Sequence, residues 1–556
     1  MIRSIWLCRD VKISIAHTLS MEISLLAPLL LLLLLPLYLL SCRRKIQRNG
    51  RGRGNSIPSP PALPVLGHLH LLNKPLHRSL AALAARYGGG SDGAGLLLLR
   101  FGARPVLLVS SPSVAEECFT VHDVALADRP GLASRRLLTG GDCPSIATAG
   151  YGPLWRHLRR IASVHALSAH RLTLTTAARD AEARAMALKL CRAASAPGAT
   201  VVSVKDTAYE FVVNVIMAMV AGRRMPEDEV LRFKAMTEAA LAAAGSANRQ
   251  DFLPFLRLLD FGRTGKRLAG LAKERHEFGQ RLVDEYRRLH HHGEGEGTVA
   301  DDTLVPPTPR TVIGDLLRQQ EQSPESYTDV VIRTVCLSLL QAGTDTSSST
   351  IEWAMALLLN NPDVLAKVTQ EINVVVGMSR LLEECDLACL PYLRCIITET
   401  LRMYPLAPHL VPHQASQDCI VAGGRYIISH GTMVLVDVYS MQRDPAQWED
   451  PNKFKPERFG ARNDVANGDG KPLMMPFGMG RRKCPGEGLA WRTVGVALGV
   501  MIQCFKWERV DKHELDIKEG SGFTMPMAVP LMAMYRPREE MDVVLKSIHN
   551  STISML

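Results

Sequence analysis

The chain has 556 residues, 47% of them apolar, enough for one large domain or two to three ordinary ones around a sizeable core. Its formal net charge is +10, but Arg43, Arg44, Lys45, Arg48, Arg51 and Arg53 place six of those charges in one short stretch. The remainder is nearly balanced, which argues against a nucleic-acid partner. The 12 cysteines follow no regular spacing. Cys385, Cys389 and Cys395 cluster without a CxxC pair, so the pattern supports neither a zinc site nor a disulfide framework and favours reduced thiols in the cytosol.

In chain order, residues 1–22 form an N-terminal extension with three bases on the side expected to be lumenal. Met21 would make a more ordinary start, so a gene-model extension is the preferred explanation for the first twenty residues. Residues 23–42, "ISLLAPLLLLLLLPLYLLSC", carry no charge, and twenty helical residues rise about 30 Å, the thickness of a bilayer core. The bases follow this run and do not precede it, unlike those of a cleaved signal peptide. An uncleaved transmembrane anchor is therefore expected, with the downstream chain on the cytosolic side. Residues 43–67 combine the basic stop-transfer segment with "IPSPPALPVLG", whose prolines favour a stiff, extended hinge.

Residues 68–556 read as one large, mainly α domain with a smaller β portion. "GLLLLRFGARPVLLVS" is strand-like, and helical periodicity dominates to about residue 405. Short extended runs return in "DCIVAGGRYIISHGTMVLVDV", a helix follows Cys484, and the tail from Glu514 again suggests short strands. The polar segment 290–309 is expected to be a surface loop between helices.

Several stretches of this domain carry chemistry. In "WRHLRR", Trp155 and Arg159 share a helix face and offer an indole N–H and a guanidinium to carboxylates; a plain basic amphipathic helix is the alternative. The helix "VVIRTVCLSLLQAGTDTSSSTIEWAMALLLNN" contains Gly343, which costs about 1 kcal/mol relative to alanine and calls for a reason. Its threonines are either positioned donors or hydroxyls bonded back to helix carbonyls. In "ETLR", Glu399 and Arg402 lie on one helix face, where an exposed pair would contribute only a few tenths of a kcal/mol.

The stretch "PFGMGRRKCPG" is the most specific. Pro485 is suited to the first position of a helix, which places Cys484 beside a helix N-terminus. Free N–H groups, the helix dipole, Arg482 and Lys483 all favour a thiolate there. Gly478, Gly480 and Gly486 leave room for a flat ligand, and Phe477 can shield the sulfur from water. The local chemistry leaves three roles open for Cys484: a ligand to a metal group, a nucleophile with a histidine base, or an inert core thiol.

Phe477, Gly480, Arg482, Cys484 and Gly486 match the FxxGxRxCxG haem-binding motif of the cytochrome P450 superfamily, which this sequence therefore resembles. "ETLR" is similar to the family's ExxR, "FKPERF" (residues 454–459) to its PERF segment, and "AGTDTS" (residues 342–347) to its oxygen-binding helix. The anchor, bases and proline hinge look like those of its membrane-bound members. The resemblance implies the cytochrome P450 fold and haem b (iron protoporphyrin IX), with Cys484 as axial iron ligand. It implies that Glu399, Arg402 and Arg458 form a buried ion network behind the haem. Trp155, Arg159 and His413 would bind haem propionates, although Gln414 stands where arginine is frequent. Gly343 would mark a local widening of its helix, Thr346 would donate a hydrogen bond to oxygen, and Asp345 would help feed protons.

The implied activity is insertion of one atom of O2 into a small apolar or aromatic molecule, a plant secondary metabolite such as a flavonoid, or a xenobiotic. NADPH-derived electrons would arrive through NADPH–cytochrome P450 reductase, an acidic partner that Arg481 and Lys483 would face, at the endoplasmic reticulum membrane. Phe523 would line the substrate pocket. "GMGRRKCPGEGLA" and "GFTMPMAVPL" look like plant enzymes near the isoflavone and flavonoid hydroxylases and herbicide-oxidising members. The alternatives are a haem-thiolate enzyme that rearranges peroxides without O2 and a non-catalytic haem sensor; retention of Asp345 and Thr346 weighs against both. Removal of residues 1–55 is expected to release much of the protein from membranes. Unchanged sedimentation of a folded, monodisperse truncation would show that the anchor is not the sole attachment.

Overall fold

A computed structural model of the chain describes residues 56–88, 94–141, 144–194, 200–244, 249–291, 310–460, 472–511 and 513–553. The expected anchor at 23–42 and nearly all of the expected loop at 290–309 lie outside these residues, and among the described residues no helix is long and apolar enough to cross a membrane.

The fold is mainly helical, with a small β portion in three sheets. The run "GLLLLRFGARPVLLVS" forms an antiparallel hairpin, Leu96–Phe101 against Arg104–Val109. Its second strand pairs in parallel with Met433–Val436, which in turn pairs antiparallel with His413–Gln414. This four-stranded sheet brings His413 from late in the chain next to the segment following Val109. A second hairpin joins Cys419–Val421 to Tyr426–Ile428, and a three-stranded sheet assembles Thr200–Ser203, Met532–Pro537 and Phe505–Arg509. Among the described residues the tail expected to be strands supplies one, Met532–Pro537; the chain then turns into the helix Asp542–Ile553. That helix buries Leu545 and leaves Val543 exposed, a one-sided apolar pattern too short to separate from alternation by eye.

The Asp329–Asn360 helix is the spine of the largest core. Ile351, Trp353, Ala354, Met355 and Ala356 are fully buried, as expected for a helix covered on all sides. Trp353 stacks on Tyr404 with ring centroids 3.9 Å apart, and its Nε1–H donates to the Met525 carbonyl at 2.9 Å. The Val204–Ala221 helix lies close along it. A Cβ on Gly343 would come within 2.6 Å of Ile216 Cδ1. The glycine leaves the room that Ile216 occupies at this helix–helix approach, and the helix runs as a continuous α-helix through residues 342–347, where a local widening was expected.

The Pro391–Met403 helix carries the charged network that ties the helical body to the segment preceding the cysteine loop. Glu399 and Arg402 are completely buried and joined by two hydrogen bonds of 2.6 and 2.8 Å. Arg458 Nε and the Lys455 N–H donate to Glu399 Oε1 at 3.2 and 3.0 Å, while Arg402 Nη1 donates to the Gln442 carbonyl at 2.8 Å and its guanidinium lies over Trp448. This is the three-residue network the sequence implied. Removing one member leaves the others charged and dry, which costs about 3–5 kcal/mol. Glu399→Ala is accordingly expected to lower stability by about that amount in urea unfolding and to give little haem-loaded protein; a normal haem yield would rule out the structural role.

Candidate functional site

The loop before the Glu487–Cys504 helix is held in a defined turn. The Cys484 N–H donates to the Phe477 carbonyl at 2.8 Å and the Lys483 N–H to Gly480 at 3.0 Å. Gly478 and Gly480 take left-handed φ of 72° and 67°, which disfavour other residues. Gly480 does different work from that expected. A Cβ on Gly480 would lie 2.5 Å from Asp123 Oδ1 and 2.7 Å from the Phe119 carbonyl, so Gly480 admits a neighbouring loop of protein. Gly478 and Gly486 line the cavity beside Cys484. Pro485 is not the first helical residue: Gly486 is the N-cap and Glu487 starts the helix, so the thiol sits just ahead of the helix end.

The bases of the loop also separate. Arg481 binds Asp123 through Nε at 2.7 Å and the Tyr151 hydroxyl through Nη1 at 2.6 Å. Lys483 pairs with Glu487 at 2.7 Å but remains half-exposed. Arg481 is thus engaged within the fold, and of the two bases Lys483 is the more available to a partner. Arg482 turns inward, donating to the carbonyls of Ala127 and Ala149 at 2.8 and 2.7 Å and stacking 4.4 Å from the Trp155 ring centroid.

Cys484 opens into a cavity of about 450 Å³ lined also by Phe477, Trp155, Arg159, His413 and Thr346. The thiol is accessible from the cavity yet enclosed by protein, and burial pushes it upward in pKa; the Gly486 N–H, Arg159 and Lys483 pull the other way. The helix end and bases alone therefore do not make the sulfur anionic. A coordinated cation would, because a ligating thiol loses its proton outright.

One side of the cavity is markedly cationic. Arg129 is buried and donates to the carbonyls of Ala147, Val411 and Pro412 at 3.0, 2.7 and 2.9 Å. Burial, then Arg482, holds its pKa well below the usual arginine value, and burial pushes Arg482 down to about 10. Arg159 makes no hydrogen bond among the described residues and feels Cys484 as its favourable charge. The nearby Asp128 uses Oδ1 to accept the N–H groups of Arg129 and Tyr151. Asp345 is the one carboxylate among the described lining residues, and it belongs to the far side. Asp128 partly offsets Arg129 and Arg482 by charge, and buried guanidinium groups with no carboxylate hydrogen-bonded to them fit a planar group that brings its own acids, as haem does.

Trp155 and His413 reach this wall in modified form. Trp155 Nε1–H donates to the Ile146 carbonyl at 3.2 Å. His413 Nδ1 donates to the Leu126 carbonyl at 2.7 Å, and burial followed by Arg129 drives the imidazole well below its usual pKa. Its remaining nitrogen is then an acceptor, so His413 would meet a carboxylate only after gaining a proton.

On the opposite wall, Thr346 Oγ1 donates to the Ala342 carbonyl at 2.7 Å, the back-bonded arrangement open to any helix threonine. Asp345 is fixed by Lys205, whose Nζ lies 3.4 Å from Oδ1, and by the Thr524 hydroxyl, 3.0 Å from Oδ2. Lys205 Nζ also donates to Ser349. Phe523 lines the cavity as expected, with Val212, Ile216, Met219 and Leu241 adding apolar wall.

With this geometry in view, comparison with known proteins is direct. The cytochrome P450 family profile matches residues 57–531. The chain belongs to the cytochrome P450 family. It is 42% identical to cytochrome P450 81Q32 of Catharanthus roseus, over 92% of this chain and 97% of that protein. It is 41% identical to a (+)-piperitol/(+)-sesamin synthase of Sesamum radiatum, over 89% and 93%. It is 38% identical to an isoflavone 3'-hydroxylase of Medicago truncatula, over 89% and 95%. The protein is thus a plant cytochrome P450 monooxygenase near the flavonoid hydroxylases, a haem enzyme that uses O2 and reducing electrons.

Arg129 and Lys205 join this P450 site without having been singled out in the sequence. Arg129 is a lone base before a proline, and Lys205 meets Asp345 only through packing of two helices; neither has a local signal. Gly480→Ala, which forces both a left-handed φ and a clash with Phe119 and Asp123, is expected to cost roughly 1–3 kcal/mol. Thermal unfolding measures this, and a cost below a few tenths would show that the loop relaxes freely.

Proposed function

We propose that this enzyme is a membrane-anchored haem-thiolate monooxygenase that inserts one oxygen atom into a small apolar or aromatic molecule. NADPH would supply electrons through a flavoprotein reductase on the cytosolic face of the endoplasmic reticulum. One observation carries the reading: Cys484, the carboxylate-free arginine wall and Thr346 all open into one cavity. When bound, haem supplies the electron transfer to O2 and the activation of its O–O bond.

The chain's own residues have separable tasks. Cys484 Sγ would be the ligand to the haem iron, its charge favoured by the Gly486 N–H and Arg159. Arg129, Arg159 and Arg482 would hold the haem carboxylates, and Trp155 packs beneath Arg482. Thr346 Oγ1 becomes a donor toward the cavity by leaving the Ala342 carbonyl. Asp345 restores its proton from the Lys205 side, since its carboxylate already spans Lys205 and Thr524. The apolar wall of Val212, Ile216, Met219 and Phe523 excludes water and suits an aromatic substrate. Relatives named for isoflavones and for (+)-piperitol and (+)-sesamin favour a plant secondary metabolite.

The test combines two variants with added reductase, NADPH and O2. Cys484→Ala is expected to lose the thiolate-type carbon monoxide spectrum. Thr346→Ala is expected to keep that spectrum while product per NADPH falls roughly tenfold or more in favour of peroxide. A surviving thiolate spectrum in the first, or unchanged coupling in the second, would remove that residue from the mechanism. Turnover that needs neither O2 nor NADPH would favour peroxide rearrangement.

A further inference from the structure

Among the described residues five arginines line the cavity, and three of them are held by hydrogen bonds. Arg129 and Arg482 are satisfied by carbonyls, Arg159 faces Cys484, and Arg275 donates to Gln341 Oε1 at 2.6 Å and to the Leu138 carbonyl at 2.7 Å. Arg135 is different. It is only 7% exposed, its side chain makes no hydrogen bond or ion pair among the described residues, and its Nη1 is fully buried without a partner. Asp251, the carboxylate it feels, spends its oxygens on the N–H and hydroxyl of Ser134. Burial pushes Arg135 down to about 10, so it stays cationic at neutral pH.

Its position is informative. Arg135 comes from the short Ala133–Leu138 helix and lies over the Phe523 ring, 5.9 Å from the centroid. Arg135, Leu410, Phe523 and Thr524 line both the main cavity and a second hollow of about 90 Å³, which Cys484 does not reach. A desolvated guanidinium at the meeting of two cavities, offset by Asp251 but hydrogen-bonded to nothing among the described residues, is incompletely compensated, and an arriving anion relieves that cost while binding. The fork of N–H groups suits paired or single anionic oxygens, and the weak screening of an enclosed, apolar site strengthens the attraction.

We propose that Arg135 is the substrate-recognition group of this enzyme. It pairs with an anionic oxygen, carboxylate or ionised phenol, of an aromatic substrate whose ring lies against Phe523. The substrate is thereby oriented with its acidic end at Arg135 and its opposite end toward Cys484. The proposal rests on the haem-thiolate reading above, so the carbon monoxide spectrum is recorded for every protein tested.

The experiment is a spectral binding titration of the holoenzyme with two matched pairs: 2-naphthylacetate and its methyl ester, and 7-hydroxycoumarin, above its phenol pKa, and 7-methoxycoumarin. The unsubstituted enzyme is expected to bind the anion of at least one pair about tenfold or more tighter than its neutral partner; which pair responds separates carboxylate from phenolate. Arg135→Gln should abolish the preference with an unchanged carbon monoxide spectrum. Arg135→Lys, which keeps the charge, should retain part of it, and substitution of the exposed neighbour, Arg136→Gln, should leave it intact. Equal affinities within both pairs would overturn the proposal, as would a preference that survives in Arg135→Gln. Loss of haem from Arg135→Gln would do the same, by moving the arginine into the haem-carboxylate wall. A missing thiolate spectrum in the unsubstituted enzyme would instead fall on the proposed function.

Discussion

Charge taken out of water without its partner is the constraint on which this cavity depends. Isolated buried ions are expensive, and proteins keep them mainly where something else completes the pair. Arg129, Arg159 and Arg482 converge on one space whose described wall offers a single carboxylate, itself engaged by Lys205 and Thr524. The backbone partly answers this through carbonyls aimed at Arg129 and Arg482. Carbonyl dipoles soften a cation but do not neutralise it. The apoprotein therefore carries electrostatic tension that a dianionic cofactor releases, which links haem uptake to the stability of the fold.

The network at Glu399 solves the opposite problem. There every charged group is closed on protein partners: Glu399 receives Arg402, Arg458 and the Lys455 N–H, and Arg402 also reaches the Gln442 carbonyl. The first arrangement is open and awaits a ligand. The second is complete and fixes the scaffold that presents the cysteine loop. Their difference lies in geometry, since both are built from arginines that look alike in the chain.

That difference explains what could be read from sequence. The cysteine motif, ETLR and PERF depend on short spacings, so Cys484, Glu399, Arg402 and Arg458 were legible together. So were the first hairpin and the long central helix, whose patterns are strong. Features made by distant contacts were not. Gly480 resembles a gap for the haem until Asp123 and Phe119 appear behind it, and Gly343 resembles a helix defect until Ile216 fills the space. Pro485 fits a helix start by propensity, yet the helix begins two residues later. Lys205, Arg129 and Arg135 acquire meaning only from what surrounds them in space.

The contact between Gly343 and Ile216 has a mechanical side. Ile216 lines the cavity, and its terminal methyl occupies the room that a side chain on Gly343 would need. Gly343 precedes Thr346 by less than one helical turn. A bulky occupant that shifts Ile216 thus leans on the helix beside the Thr346 hydroxyl. Steric fit in the cavity and the placement of that helix turn are thus joined through one methyl group.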